Sequence, residues 1–302
     1  TTEIYTLSLH DALPISVTTW YRTGSIDSVP GKTGVAHFIE HLMFKGTQDL
    51  AKGEIDRITQ RLGGSNNAFT SPDYTCYYFN FRSDRWEKAL EIEADRMVHV
   101  KWDSQEFESE RRVILEEIAS SQDAPFGMLA EEAEASFFKF HPYRYPIAGW
   151  KEDMEAIRME EVADYYTAHY MPNNAVLVIV GDVEYQDVAR KVEHFFGAIP
   201  SGHLPQRKRV EESPSSCPRR LLIKKDVEVV RFNIVFRGAQ AGTKDDYTLD
   251  LLDILLSSGR GSRLYKRLVL EEGLLQHISS LNDTRKEPGM FWIVGQIGRA
   301  HV

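Results

Sequence analysis

Two histidines and a glutamate stand close together in VAHFIEHLMFKG, at a spacing that suits a metal ion. The apolar residues Val35, Phe38, Ile39, Leu42 and Met43 recur at helical spacing, and Gly46 stands where a helix C-cap would. On a helix that advances about 100° per residue, His37 and His41 lie about 40° apart and one turn apart along the axis. Both imidazoles can therefore meet one ion. Glu40 lies about 60° from His37 on the other side and borders the same face. Two neutral imidazoles suit zinc, and a hydrolytic zinc site adds one carboxylate and leaves a position for water. The ion draws the pKa of that water towards neutrality and polarises a scissile carbonyl. A carboxylate beside the ion, but not bound to it, can take the water's proton and later pass it to a leaving amine. Glu40 fits that role.

The third ligand must come from elsewhere, and ESERRVILEEI is the best source. On a helix, Glu110 and Glu117 fall about 20° apart, on one stripe two turns long. Val113 and Ile114 lie between them, so the stripe is expected to face inward. An inward carboxylate needs a partner, because burying it unpaired is costly. Zinc supplies one for Glu117, and Glu110 becomes an outer group that supports the ligands. HxxEH is the zinc-protease motif in reverse order. Taken alone, the same residues also fit a buried core histidine and a solvated glutamate pair.

Around these residues the chain alternates strand and helix patterns. SVTTWYRTGSID reads as a strand, and EIDRITQRLGG as a short helix ending in glycines. SNNAFTSPDYTCYYFNFR reads as a hairpin turning at Ser71 to Asp73. DRWEKALEIEADRMVHV and SQEFESERRVILEEIASSQ are helical, and HPYRYPIAGW is a loop. MEEVADYYTAHY predicts a helix, NNAVLVIVGDV a buried strand, and YQDVARKVEHFFGAI another helix. The Pro- and Ser-rich stretch from Pro200 to Arg220 is the best linker. Beyond it, LLIKKDVEVVRFNIVFRG gives strand material, DYTLDLLDILLSSG and SRLYKRLVLEEGL give helices, and FWIVGQ starts a last strand. Strands and helices mix without strict alternation, which predicts an α+β fold rather than a doubly wound one. The expected domains are a metal-bearing α+β domain at 17–212 and an incomplete second α+β domain at 213–302, with a division by sequence similarity nearer 157.

The 302 residues, 42% hydrophobic and 27% charged, suffice for one large domain or two medium ones. A net charge of −9 speaks against nucleic acid as a partner. The run RKRV at 207–210 is short and followed by two glutamates, so it reads as solvated linker. GRGSR lacks phosphate-loop spacing. His99, His141, His169 and His194 have no partner at ligand spacing and read as surface or packing residues. Cys76 and Cys217 match no metal spacing and fix no compartment, leaving bacterial periplasm and cytoplasm equally open. No apolar run is long enough to span a membrane, and no secretory signal is visible. TLSLHDALPIS and IGRAHV resemble translated adapter sequence. Residues 1–15 and 297–302 are therefore read as non-native, with the natural chain extending beyond them.

VAHFIEHLMFKGT closely resembles the zinc-site helix of the pitrilysin/insulinase family, which includes the mitochondrial processing peptidases. The resemblance continues through VILEEI, GGSNNAFTSPDYTCYYF, HPYRYPIAGW, MPNNAVLVIVGDV and SSGRGSRLYKRLVLEEGL, from about residue 17 to 295. It implies one zinc ion per chain, held by His37, His41 and Glu117, with Glu117 76 positions after His41. Glu40 would be the catalytic base, and Glu110 a further glutamate that supports catalysis. Asn67, Ala68 and Thr70 would line the cleft where a peptide adds as a strand. Arg263 matches a substrate-contacting arginine of the family, though it reads equally well as a surface or helix-packing arginine. The family's tyrosine position falls on Gln276, which departs from the pattern. The implied fold is half of a clamshell, a mixed sheet packed with helices, followed by a related, inactive-type domain. The implied function is that of a zinc metalloendopeptidase acting on peptides or unfolded polypeptides, in a chamber that a homodimer or heterodimer could complete. The alternative is a non-catalytic or partner-dependent peptide-binding subunit of a paired protease. Such subunits typically lose zinc-site residues, which this chain keeps.

Overall fold

The alternating run SVTTWY lies within strand β1 (Ile15–Tyr21), whose odd-numbered residues are buried and even-numbered ones half-buried. The structure, a computed structural model, describes residues 14–207, 212 and 217–298. Residues 1–13 and 299–302 of the adapter-like ends, and 208–210 of the basic run, lie outside the described residues. Ile15 and Ile297 belong to the segments set aside as non-native, yet both are strand residues, paired with Phe81 and Leu275.

The chain divides into two compact units, residues 1–118 with 145–210 and residues 119–144 with 211–302. This grouping differs from a boundary at 212/213 in the placement of 119–144. Polar ties explain the difference. The Glu212 carboxylate accepts the backbone N–H groups of Lys139, Phe140 and His141, and Arg285 donates to Glu134 at 2.7 Å.

In the first unit, β2 (Ser65–Thr70) and β3 (Thr75–Phe81) form the expected hairpin, closed where Ser71 N donates to Tyr74 O at 2.8 Å. With β4 (Ala175–Val180) the sheet order is β2-β3-β1-β4. Every pair in it is antiparallel, which corrects the expectation of a mixed sheet. The hairpin reverses the chain between β2 and β3, and β4 returns against β1 after the intervening helices. Those helices are α1 (Val35–Leu42), α2 (Glu54–Arg61), α3 (Glu87–Val98), α4 (Ser104–Asp123), α5 (Pro125–Phe137), α6 (Lys151–Ala156) and α7 (Met159–His169), of which α5 belongs to the second unit, and α8 (Tyr185–Phe196) follows β4. α5 and α6 were not legible as separate elements. One apolar cluster joins Tyr21 and Tyr77 of the sheet to Phe38 and Ile39 of α1, Ile114 of α4 and Val162 of α7. A second joins Val17 and Phe79 to Ile55 of α2, Leu90 of α3 and Val188 of α8. Each such large side chain contributes roughly 1.5–3 kcal/mol on burial.

α1 begins at a close backbone crossing. Gly34 has φ +83°, and a Cβ there would strike the carbonyl of Ala148. Thr33 Oγ1 donates to Asp153 Oδ2 at 2.7 Å and accepts from Trp150 N at 2.8 Å. The helix ends at Leu42, earlier than a cap at Gly46 implied. Gly46, at φ +114°, instead serves the turn that follows, where a Cβ would crowd Leu50 O at 2.7 Å.

A fully buried ion pair, Glu93 with Arg96, lies under the sheet, and the guanidinium sits 4.2 Å from the centre of the Tyr77 ring. Breaking a buried pair by removing one partner typically costs about 3–5 kcal/mol, because the other charge stays buried. Arg96→Met is expected to lose that much in urea unfolding, and the double variant Glu93→Met/Arg96→Met less. Equal losses would show that the pairing is not the source.

In the second unit, β5 (Arg231–Arg237), β6 (Leu275–Asp283) and β7 (Met290–Ile297) form an antiparallel sheet in the order β5-β7-β6. The expected strand beginning at Leu221 is confined to β5. α9 (Lys244–Ser257) packs on β6, with Ser280 Oγ donating to Asp253 Oδ1 at 2.5 Å. The second expected helix is a π-helix, Tyr265–Glu271, closed where Glu272 N donates to Arg267 O at 2.9 Å. The α+β class is as the sequence predicts.

Candidate metal centre

α1 places His37 and His41 side by side, ring centroids 4.7 Å apart and planes at 74°. Both Nε2 atoms face one carboxylate oxygen. Glu117 Oε2 lies 3.8 Å from His37 Nε2 and 3.7 Å from His41 Nε2. A tetrahedral zinc ion with ligands at about 2.0–2.1 Å holds its donors about 3.4 Å apart. Both distances to Glu117 Oε2 are within a few tenths of an ångström of that arrangement, and the three donor atoms all lie within 4.8 Å of one another. Burial, and then the neighbouring His41, push the His37 imidazole down to about 4, so it is neutral at pH 7 and its ring nitrogen can act as a donor. Nitrogen, nitrogen and carboxylate oxygen form the donor set of a hydrolytic zinc site, so the residues fit the ion.

Glu110 is 5% exposed and divides its two oxygens between neighbours. Oε2 lies 3.2 Å from His41 Nδ1, and Oε1 lies 2.6 Å from Lys45 Nζ. A proton on Nδ1 directed at this carboxylate leaves the Nε2 lone pair facing Glu117. Glu40 stands outside the trio. Thr70 Oγ1 donates to its Oε2 at 2.5 Å. Burial raises the Glu40 pKa above the ordinary carboxylate value, against the opposing effects of that hydrogen bond and of His41.

The structure thus gathers His37, Glu40, His41, Glu110, Glu117 and Thr70 in the first unit. The inward stripe is corrected in one respect. Ile114 is buried, but Val113 is 38% exposed and the Glu117 side chain 47%. The buried face of α4 runs through Phe107, Glu110, Ile114 and Ile118, and Glu117 lies about 60° from Ile114, at its margin. On β2, Ala68 packs against the core, whereas Asn67 points to the other face and its Oδ1 accepts the N–H of Ala68 at 2.9 Å. Arg263 belongs to the second unit and is exposed. Gln276, at the family's tyrosine position, accepts from Gln296 Nε2 at 2.8 Å.

Sequence reasoning passed over Lys45, although it stands four residues after His41. It also passed over a second trio, Asp49, Asp95 and His99, whose donor atoms lie within 4.8 Å of one another. The Asp95–His99 spacing of four was the available signal. Asp95 already accepts from Thr47 Oγ1 at 2.5 Å and pairs with His99 Nδ1 at 2.9 Å, so the trio fastens a turn without needing an ion.

Residues 7–150 match the family described as Insulinase (Peptidase family M16), and residues 156–302 match the Peptidase M16 inactive domain. The chain belongs to the insulinase family. Among its relatives, the zinc protease PqqE of Helicobacter pylori is 31% identical over 290 residues, 93% of this chain and 64% of that protein. The uncharacterized zinc protease YmxG of Bacillus subtilis is 29% identical over 284 residues, 94% of this chain and 68% of that protein. The crystal structure of a protease from Helicobacter pylori matches with a TM-score of 0.93 at 29% identity, covering 98% of this chain and 73% of that one. This insulinase-family chain therefore spans about two thirds of the length of these curated relatives, 64% and 68%. Among the described residues, no helix is long and apolar enough to cross a membrane.

Proposed function

We propose that this chain is a zinc-dependent metalloendopeptidase that hydrolyses peptides or unfolded polypeptides. One observation carries the reading. Two imidazole Nε2 atoms and one carboxylate oxygen converge, while a second carboxylate, Glu40, stands beside them and outside the trio. One zinc ion per chain would be held by His37, His41 and Glu117. When bound, it supplies Lewis acidity towards a peptide carbonyl and lowers the pKa of a water molecule. Glu40 takes the proton of the attacking water and delivers it to the leaving amine. Its raised pKa suits both halves of that task. Thr70 holds the Glu40 carboxylate, and Glu110 holds His41. β2 is an edge strand of its sheet, so a substrate backbone can add beside Asn67 and Ala68 by strand pairing. Arg263 is assigned a substrate contact on the strength of the family resemblance.

Cleavage of a quenched, unstructured peptide tests the proposal. Activity is expected to vanish with a chelator and return with zinc. Zinc-loaded protein that never cleaves would leave the second reading, a partner-dependent subunit of a homodimer or heterodimer. Turnover that begins only when a second family protein is added would establish it.

The Thr70 hydroxyl distinguishes two roles. Hydrogen bonds to charged groups contribute about 1.5–3 kcal/mol, so Thr70→Val is expected to lower kcat roughly 10- to 100-fold with KM little changed. A rise in KM with kcat intact would instead make Thr70 a substrate contact.

A further inference from the structure

We infer that Lys45 is a positioning residue for the metal centre, acting through Glu110 and His41, an assignment that rests on the zinc reading above. The chain of contacts is short. Lys45 Nζ lies 2.6 Å from Glu110 Oε1, and Glu110 Oε2 lies 3.2 Å from His41 Nδ1. Each carboxylate oxygen thus has its own partner, and the plane of the carboxylate is fixed between them.

The surroundings make this pair more than a surface ion pair. The Glu110 side chain is 6% exposed and that of Lys45 23%. Exposed pairs contribute little because water and salt screen them, but a carboxylate this buried depends on its partners. Without Lys45, Glu110 keeps one partner and is free to rotate away from His41.

The backbone explains how Lys45 reaches the site. α1 stops at Leu42, and a tight turn follows in which Phe44 N donates to His41 O at 3.2 Å and Lys45 N to Leu42 O at 2.9 Å. This turn lies directly after the helix that carries His37 and His41. Glu110 lies on α4, two turns before Glu117. The Lys45–Glu110 contact therefore ties the end of the histidine helix to the helix that carries the third ligand. It fixes both the orientation of His41 and the spacing of the two ligand-bearing helices. Outer partners of this kind typically change metal affinity 10- to 100-fold.

Zinc affinity, read by competition with a chromogenic chelator on the full chain, tests the assignment. Lys45→Met is expected to bind zinc about 10- to 100-fold more weakly than wild type, and its metal-free form to melt lower, because the buried Glu110 carboxylate loses a partner. Lys45→Arg is expected to restore most of the affinity, since it keeps the charge. Glu110→Gln should weaken binding similarly, and the double variant no further, because both changes break one chain of contacts. Wild-type affinity in Lys45→Met overturns the assignment alone. A loss that Lys45→Arg does not restore makes Lys45 a structural residue and overturns it too. Wild-type protein that takes up no zinc overturns the zinc reading and this assignment together.

Discussion

Glu40→Gln is expected to keep its zinc and lose about 10²- to 10⁴-fold in kcat. The two halves of that expectation have separate origins. Glu40 is not one of the three converging donors, so its replacement leaves the ion's ligands in place. Glutamine has nearly the same shape and can still accept the Thr70 hydroxyl through its amide oxygen. Only the capacity to hold a proton is lost. Metal analysis and steady-state kinetics on the same preparation check both halves. Full activity in pure Glu40→Gln protein would remove Glu40 from the proton transfer. Loss of zinc would turn it into a ligand.

Glu117→Ala is expected to do the reverse, abolishing zinc retention and activity while sparing the fold. The side chain is 47% exposed, so its removal opens no cavity in the core. It supplies the one oxygen that both Nε2 atoms face. Two imidazoles alone hold zinc far more weakly than three protein ligands, and the loss should exceed the 10- to 100-fold typical of outer partners. Zinc content after dialysis, with a melting curve of the metal-free protein, measures the outcome. A Glu117→Ala protein that keeps stoichiometric zinc would move the third ligand to another carboxylate.

Much of this centre was legible because its parts obey helical periodicity. The positions of His37, Glu40 and His41 follow from one short helix, and Glu110 and Glu117 from another. The hairpin followed from alternation around a turn rich in Ser, Pro and Asp. What was not legible depended on partners. LLIKKDVEVV has strand composition, but a strand needs a neighbour, and among the described residues pairing begins only at Arg231. β6 (LQHISSLND) shows weak alternation, because Ser280 and Asn282 turn their side chains to bond α9. The inward stripe was drawn through Val113, although the buried side of α4 passes beside it. Lys45 was passed over because its role depends on a residue 65 positions away, and no local pattern marks such a pair.

The crossing at the start of α1 bears on when this centre can form. Thr33 is held by Asp153 and Trp150, and Gly34 lies against Ala148. The metal residues themselves are all in place by Glu117, yet the anchor of their helix is encoded more than thirty residues later. On the ribosome, a nascent chain that already contains every ligand still lacks the brace that sets the helix. The brace of the histidine helix is thus completed by residues that follow the stretch supplying the chemistry.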